Sequence, residues 1–386
     1  MSREPELFDN LPSRRRAAVR TGVLPCQAID NLIRTGEVLC DEGRLDLKSQ
    51  VQPASLDLRL GPIGYRIRAS FLPGPNTTVT SKLDELQHNA FSLVDGAVLE
   101  TNCVYLVPLM ESLRLRQAIS AIANPKSSTG RLDVFTRLIT DNGESFDYVP
   151  AGYEGPLYLE ISPRTFSILV HQGSRLSQLR FLRRTPRQPR EQRFISDASL
   201  QALHGRTRLV DLDATFRDGL NLRVDLTRKS KSPVIGYKAK RYAGVIDVDK
   251  VGGYDHRKYW DIIDDTDGGR LVLDPQEFYI LASKEAVLVP EQYAAEMAPF
   301  DPMMGEYRVH YAGFFDPGFG IINGKPAGAR AVLEVRSLDI PFILEDAQII
   351  GRLLYERLAA PPARLYGSGI GSNYQGQGLK LSKHFR

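Results

Sequence analysis

The sequence predicts an all-β (mainly) protein of two tandem units with a few short helices, and three observations support this. Short apolar runs rich in Val, Ile, Leu, Tyr and Phe alternate with turn residues, whereas long helical periodicity is scarce. Glycine and proline number 32 and 24, which suits a chain with many tight turns. An Arg- and Pro-rich segment at 180–193 divides the 386 residues into two nearly equal parts. This pattern is typical of sandwiches and barrels.

The predicted elements begin with a helix over 24–36, where four apolar side chains share one helical face before Gly36, a typical stop. Those four are Ala28, Ile29, Leu32 and Ile33. A second helical segment, FISDASLQALHG, follows the Arg-rich stretch. The clearest predicted strands are VYLVPL (104–109), PLYLEI (156–161), TFSILV (165–170), EFYILA (277–282) and RAVLEV (330–335).

The two parts of the chain look like diverged copies of one unit. Each contains an aromatic Gly turn, a strand ending in Leu-Glu and a later Gly-containing strand, and the strand glutamates Glu160 and Glu334 lie 174 residues apart. We therefore expect a basic arm at 1–22 with the composition of a disordered segment, domains at 23–183 and 206–362, a linker at 184–205 and a C-terminal arm at 363–386.

Charge and composition exclude several classes of protein. Lys plus Arg number 50 and Asp plus Glu 46, and a net charge of +4 is too small for a protein that coats nucleic acid. Apolar runs are too short to span a membrane, and the N-terminus lacks the apolar core of a secretory signal. The three cysteines form no C-x-x-C pair, as in reduced cytosolic proteins. We expect a cytoplasmic protein without nucleic-acid or membrane partners.

The sequence also argues against a zinc enzyme. The six histidines are scattered singly, and the H-x-E with P-C-x-x-C signature of zinc nucleobase deaminases is absent. Walker, G-x-S-x-G and H-E-x-x-H motifs are absent as well.

The segment KSSTGRL (126–132) has the composition of a polyphosphate site. Ser127 and Ser128 are donors to phosphate oxygens, Gly130 permits close approach, and Lys126 and Arg131 supply positive charge. The alternative interpretation is a polar turn between strands.

Glu160 and Glu334 each interrupt an apolar strand. Each glutamate either faces solvent or lies desolvated beside a cleft, where a raised pKa suits a general base or acid. Near the second glutamate, FFDPGFG (314–320) forms either a hairpin corner or the wall of a pocket for a planar base. The C-terminal SNYQGQGLKLSKHF (372–385) is either a frayed tail or an arm that orders over a bound anion.

Together these motifs resemble the dCTP deaminase family of the trimeric dUTPase superfamily, in a long double-domain bacterial form. The segments that carry the resemblance are PASLDLRLG (53–61), KSSTGRL (126–132), GSRLSQLRF (173–181), FFDPGFG (314–320), AVLEV (331–335), AQIIGRLLYE (347–356) and NYQGQG (373–378).

The resemblance implies tandem dUTPase-like distorted jelly-roll domains and a zinc-independent deamination of dCTP to dUTP and ammonia. A catalytic glutamate, Glu334 or Glu160, would activate the water that attacks C4 of cytosine, with Arg131 stabilising the intermediate. The triphosphate would bind with Mg²⁺. The implied substrate-binding residues are Lys126, Ser127, Ser128, Gln178, Asp316, Gly318, Tyr374 and Lys380.

Each half departs from the family pattern in a different motif. The first half has Pro150 where the family turn has Asp, after an insertion in which Asp141 or Asp147 is a substitute. The second half has APFDPMMGEY (298–307) where the phosphate motif belongs. One composite site per chain would therefore combine Ser127, Ser128 and Arg131 with Asp316 and Glu334, closed by the C-terminal arm, and Glu160 would be vestigial or structural. The rival arrangement stacks like domains in three-fold rings and uses Glu160.

The chain is accordingly either a monomer with a composite site or a homo-oligomer, a dimer or trimer. Besides dCTP deaminase, two functions stay open. One is a bifunctional deaminase and diphosphatase that yields dUMP. The other is a catalytically inactive nucleotide-binding sensor or scaffold, which the incomplete motifs of each half would suit.

Overall fold

The computed structural model describes residues 21–40, 45–184, 193–227, 234–299, 307–309, 313–337, 339–367 and 378–386. We call 21–184 the first half and 193–386 the second half. Most of the predicted N-terminal arm lies outside the described residues, and so does Tyr374, which was predicted to bind substrate.

The first half consists mainly of strands. They are β1 (Gly22–Val23), β2 (Val38–Cys40), β3 (Leu56–Leu58), β4 (Ile63–Ile67), β5 (Gln87–Ser92), β6 (Ala97–Leu99), β7 (Val104–Arg114), β8 (Ile119–Pro125), β9 (Val134–Thr140), β10 (Tyr148–Val149), β11 (Glu154–Pro163), β12 (Ile168–Val170) and β13 (Ser177–Arg183). The helices are α1 (Cys26–Arg34), α2 (Leu47–Gln50), α3 (Val79–Leu86) and α4 (Ser127–Gly130).

The second half has the same character. Its described strands are β14 (Leu220–Arg223), β15 (Gly236–Ala239), β16 (Ile246–Asp247), β17 (Trp260–Ile263), β18 (Arg270–Leu273), β19 (Phe278–Val287), β20 (Tyr293–Pro299), β21 (Tyr307–Val309), β22 (Phe314–Phe315), β23 (Ile321–Ile322), β24 (Lys325–Pro326), β25 (Ala329–Ser337), β26 (Phe342–Glu345) and β27 (Ile349–Arg357). Helix α5 (Asp197–Arg206) precedes them, and a short 3-10 helix spans His256–Lys258. The predicted mainly all-β class is confirmed.

The two halves repeat one strand order. In the first half, one sheet has the order β1-β13-β8-β10 with β3 on β13, and the other has β5-β4-β7-β11-β9. In the second half, the matching sheets are β14-β27-β20-β22 and β17-β15-β19-β25-β21. Strands β11 and β25, which carry Glu160 and Glu334, thus occupy equivalent places beside β7 and β19.

A buried ion pair is also repeated. Arg59 donates from its backbone and from Nε to the carboxylate of Glu111, and Arg223 does the same to Glu285, with Nε–Oε1 distances of 2.7 and 2.6 Å. Both arginines belong to an L-x-L-R segment, LDLR at the end of β3 and LNLR in β14. A side-chain arrangement this specific indicates that the halves are copies of one unit.

Part of the second half packs into the core of the first half. Successive side chains of β25 point to opposite faces of the strand. Leu333 therefore packs in the core of the second half, called the second core, and Val332 packs in the core of the first half, called the first core. The first core accordingly includes Trp260 and Phe278 of the second half, both 1% exposed. Complete burial of a side chain of this size stabilises by about 2–3 kcal/mol, so these contacts hold the halves together.

Helix α1 agrees with the predicted segment, because Ile29 and Leu32 are buried and Gly36 takes a φ of 73° where the helix has ended. Within the predicted linker, residues 185–192 lie outside the described residues. Helix α5 begins soon after them with Ser196 as its N-cap, and its Leu200 belongs to the second core.

No helix in the described ranges has both the length and the apolar character required to cross a membrane.

Candidate active site

The KSSTGRL segment lies at the boundary between the halves. Lys126 is the N-cap residue of the four-residue helix α4, and its ammonium forms an ion pair with buried Asp57 of strand β3. Ser128 is buried, Ser127 is half-buried, and Arg131 is only 4% exposed. These polar groups therefore form one compact, partly desolvated cluster.

Glu334 faces this cluster from the second half. It lies on the same face of β25 as Val332, which packs on the first core, and it is 6% exposed. Burial raises the pKa of Glu334 well above its usual value; the positive charge of Arg131 opposes the rise and the negative charge of Asp133 adds to it. The structure thus brings Arg131 of one half close enough to Glu334 of the other for its charge to act on the carboxyl group.

Asp316 approaches the same cluster from a second direction. It follows β22, and Gly318 in its turn has a φ of 92°. A Cβ atom added to Gly318 would lie only 3.0 Å from Cβ of Leu365, so a side chain there would be strained. Burial raises the pKa of Asp316 to about 6, with Asp57 adding to the rise and Arg180 and Lys126 opposing it. The turn of the second half therefore meets the phosphate motif of the first.

Arg180 of β13 packs against the turn that contains Asp316. It is fully buried, its guanidinium lies 3.9 Å from the ring centre of Phe314, and it contacts the carboxylates of Asp316 at 3.5 Å and Glu356 at 3.4 Å. Its neighbour on β13, Gln178, lies across from Asp57 in β3 and accepts a hydrogen bond from Ser55 at 3.1 Å. The late strand of the first half thus lines the boundary.

The C-terminal residues dock on the phosphate motif. The carbonyl of Lys380 accepts a hydrogen bond from Arg131 at 2.9 Å, and the Ser382 hydroxyl donates to the carbonyl of Ser128 at 2.7 Å. His384 is 2% exposed and Phe385 packs on Trp260, with ring centres 5.9 Å apart. Residues 378–386 are therefore anchored beside the cluster, in contrast to the frayed-tail alternative.

Two cations near this cluster, Arg175 and Lys383, lie in segments quoted from the sequence but are not among the site residues predicted from it. Lys383 has a pKa lowered by burial and by the positive charges of Lys126 and Arg175, while Asp249 and Asp57 oppose the decrease. Lys126 and Arg175 are thus close enough to Lys383 for their charges to act on it. The sequence does not single out Arg175 or Lys383, because only folding brings them together.

Glu160 lies in a different environment. On strand β11 it faces Arg137 of β9, with 3.8 Å between Oε1 and Nη1, and it is 2% exposed. Burial raises its pKa, and Ser70 and Arg137 oppose the rise. The sheet face around it is covered by α3 and its neighbours, which form an apolar cluster of Ile67, Val79, Leu83, Leu106, Ile139 and Tyr158. The first half therefore covers its own glutamate, whereas Glu334 faces the other half.

The two aspartates of the first-half insertion lie on the Glu160 side. Asp141 accepts a hydrogen bond from the backbone of Val79 at the start of α3, at 2.7 Å. Asp147 accepts a hydrogen bond from the backbone of Leu138 at 2.8 Å. Its side chain is only partly accessible, and loss of hydration raises its pKa to about 7. Both serve local structure around the covered glutamate.

A group of side chains of the types that bind metal ions is drawn from both halves. His171, Asp247 and Asp249 place three such atoms within 4.8 Å of one another. Asp249 also accepts a hydrogen bond from Ser174 at 2.5 Å. Short sequence spacing does not reveal this group, because His171 and the aspartates are far apart in the chain.

Comparisons with known proteins agree with this geometry. The family model described as the 2'-deoxycytidine 5'-triphosphate deaminase N-terminal domain matches residues 20–185, and the C-terminal domain model matches residues 196–385. A crystal structure of 2'-deoxycytidine 5'-triphosphate deaminase from Agrobacterium tumefaciens is 52% identical with a TM-score of 0.82, and the alignment covers 88% of this chain and 99% of that one.

Curated relatives are more distant. Proteins named "dCTP deaminase, dUMP-forming" from Beutenbergia cavernae and Halobacterium salinarum are 34% and 35% identical over 110 and 115 residues, or 28% and 29% of this chain. The alignments span about half of the relatives' own length, 53% and 54%. Two family models that together cover nearly the whole chain, and a 52% identical structure, lead to one conclusion: the chain belongs to the dCTP deaminase family, within the dUTPase-like superfamily.

Proposed function

We propose that this chain hydrolyses dCTP to dUTP and ammonia, without zinc, at one composite site formed by its two halves. The observation that carries the proposal is the buried Glu334 of the second half next to Arg131 of the first, with a pKa raised by burial. A carboxyl group with a pKa nearer to neutral exchanges protons readily in both directions.

The proposed reaction uses Glu334 as the proton carrier. Its carboxylate takes a proton from water, the hydroxide oxygen bonds to C4, and the C4–N3 electron pair moves to N3, which receives the proton from Glu334. Glu334 then takes the proton of the new hydroxyl and delivers it to the amino group. The bond between C4 and the amino nitrogen breaks, ammonia leaves and the C4 carbonyl forms. Arg131 stabilises the negative charge that develops around the tetrahedral intermediate.

The phosphate end of the site is supplied mainly by the first half. Lys126 and Arg175, with Lys383 of the C-terminus, provide positive charge, and Ser127 and Ser128 provide hydroxyl donors.

Mg²⁺ fits next to these groups. Oδ1 of Asp57 is buried and has no hydrogen-bond partner among the described residues, while Oδ2 pairs with Lys126. A hard carboxylate oxygen beside a triphosphate suits Mg²⁺ or one of its waters, and the ion would neutralise phosphate charge.

Asp316 makes substrate affinity depend on pH. We propose that its carboxylate accepts a hydrogen bond from the deoxyribose. Because its pKa is raised to about 6, it gains a proton as the pH falls through about 6, about two units above an ordinary aspartate. Loss of a charged acceptor should raise KM for dCTP about fivefold between pH 7.5 and 5.5. Steady-state kinetics over this range tests the prediction, and Asp316→Asn is the control, with a KM that is high and constant. A flat wild-type KM contradicts it.

The first experiment is ammonia release from dCTP with Mg²⁺, with CTP, dCMP and dUTP for comparison. Turnover of dCTP alone supports the proposal. Thermal stabilisation by dCTP without turnover would instead favour the nucleotide sensor, and the proposed chemistry would be wrong.

A second candidate function is the formation of dUMP. It is favoured by the names of the curated relatives, "dCTP deaminase, dUMP-forming". It would add hydrolysis of the bond between the α- and β-phosphates after deamination. Pyrophosphate released in equal amounts with ammonia would support dUMP formation, and accumulation of dUTP would support deamination alone.

A further inference from the structure

We propose that the buried ion pair between Asp133 and Arg336 positions Glu334 against Arg131. We call Asp133 and Arg336 the cross-half pair, since they belong to different halves. The inference rests on the proposed deamination and extends it by assigning two positioning residues.

The spacing of the cross-half pair matches that of the proposed catalytic residues. Asp133 lies two positions after Arg131, and Arg336 lies two positions after Glu334. On strand β25 a spacing of two puts Arg336 on the same face as Glu334. The contact between Arg336 and Asp133 therefore fixes the position of β25 relative to the segment that contains Arg131.

The cross-half pair is held by several further hydrogen bonds. The Thr165 hydroxyl donates to Oδ2 of Asp133 at 2.5 Å and accepts from Nη2 of Arg336 at 2.9 Å. The other arm of Arg336 donates to the carbonyl of Gln276. Asp133 and Arg336 are 1% and 7% exposed. Buried pairs contribute little net stability but can specify one arrangement of the groups around them.

The first half offers an internal comparison. The residue two positions after Glu160 is Ser162, which cannot form an ion pair, and the charge nearest Glu160 comes from Arg137 on the adjacent strand. Thus the cross-half pair accompanies only the glutamate that faces the other half.

The cross-half pair also affects the electrostatics of Glu334. The charged groups that face Glu334 are Arg131 and Asp133 from the segment before β9, and Arg336 lies on its own strand. Since Asp133 raises the pKa of Glu334, its neutralisation should move the acidic limb of the kcat profile to lower pH.

The test is the double variant Asp133→Asn/Arg336→Gln, which removes both charges and leaves no unpaired one. Asparagine also tolerates the φ of 56° at position 133. We expect kcat to fall about 100-fold, since small displacements of reacting groups have effects of this size. KM for dCTP should stay within about threefold, since ground-state contacts are untouched. The matched control is Arg223→Gln/Glu285→Gln, an ion pair within the second half in which the glutamate is buried and the arginine is half-buried, and this variant should keep kcat.

Each outcome decides the inference. Wild-type kcat and pH profile in the double variant, with only a lower Tm, would make the cross-half pair purely structural. If the double variant does not fold, Arg336→Lys is the deciding variant, because lysine cannot donate to both Asp133 and Gln276 as the guanidinium does. A kcat about tenfold lower at unchanged KM supports the positioning role. A wild-type kcat overturns that role. No dCTP turnover by the wild-type chain would refute the proposed function itself and the inference with it.

Discussion

Glu334→Gln is expected to lower kcat for dCTP deamination about 10²–10⁴-fold, the range for loss of a general acid–base. Glutamine keeps the shape of the side chain but cannot accept and return a proton. Because Glu334 is buried with a raised pKa, a neutral amide there should leave Tm unchanged or slightly higher. Ammonia release and a thermal melt of the same preparation measure both effects.

Glu160→Gln is the matched control, because it replaces the equivalent glutamate of the other repeat. It should keep kcat within about twofold, since a change that preserves shape and lies away from the reacting atoms has little effect on transition-state binding. The opposite pattern, with Glu160→Gln inactive and Glu334→Gln active, would contradict the composite site and favour stacked three-fold rings.

Arg131→Gln is expected to lower kcat about 10²–10³-fold. The guanidinium faces Glu334 and also donates to the carbonyl of Lys380 at 2.9 Å, so its loss removes charge stabilisation and one anchor of the C-terminus. Steady-state kinetics measures the loss. Ser382→Ala, which removes a different anchor of the C-terminus and leaves Arg131 in place, is the control, and it should lower kcat much less than Arg131→Gln does.

Mixing the two inactive variants tests where the site is built. When Glu334→Gln and Arg131→Gln chains are denatured together and refolded, a site within each chain predicts that activity is not recovered, since every chain lacks one of the two groups. A site assembled between chains would instead regain activity wherever intact halves meet. Recovery of a substantial fraction of wild-type turnover would therefore contradict the intrachain site.

The fold class was predictable because its signals are local. Alternating apolar residues between Gly and Pro turns indicate strands regardless of what packs on them. The predicted segments 156–161 and 330–335 lie in β11 and β25, and the repeat of Glu160 and Glu334 reappears as equivalent strand positions. The phosphate motif was equally visible, since serines and cations within a short segment are adjacent in any fold.

The sequence could not decide which glutamate faces the other half, because both interrupt similar apolar strands. The answer depends on what covers each strand. Helix α3 and its neighbours cover Glu160, whereas Glu334 faces Arg131. Coverage is a property of long-range packing, and period-2 alternation says only which side of a sheet a residue occupies.

By itself the sequence determined the β class, the internal repeat and the positions of the KSSTGRL segment and the two strand glutamates, because each is written in short-range patterns. Only the tertiary structure decided that Arg131 lies near Glu334, that Lys383 lies near Lys126, and that Asp133 binds Arg336 across the halves. These contacts join residues about 200 or more positions apart. They follow from how two folded sheets stack, which no local pattern encodes.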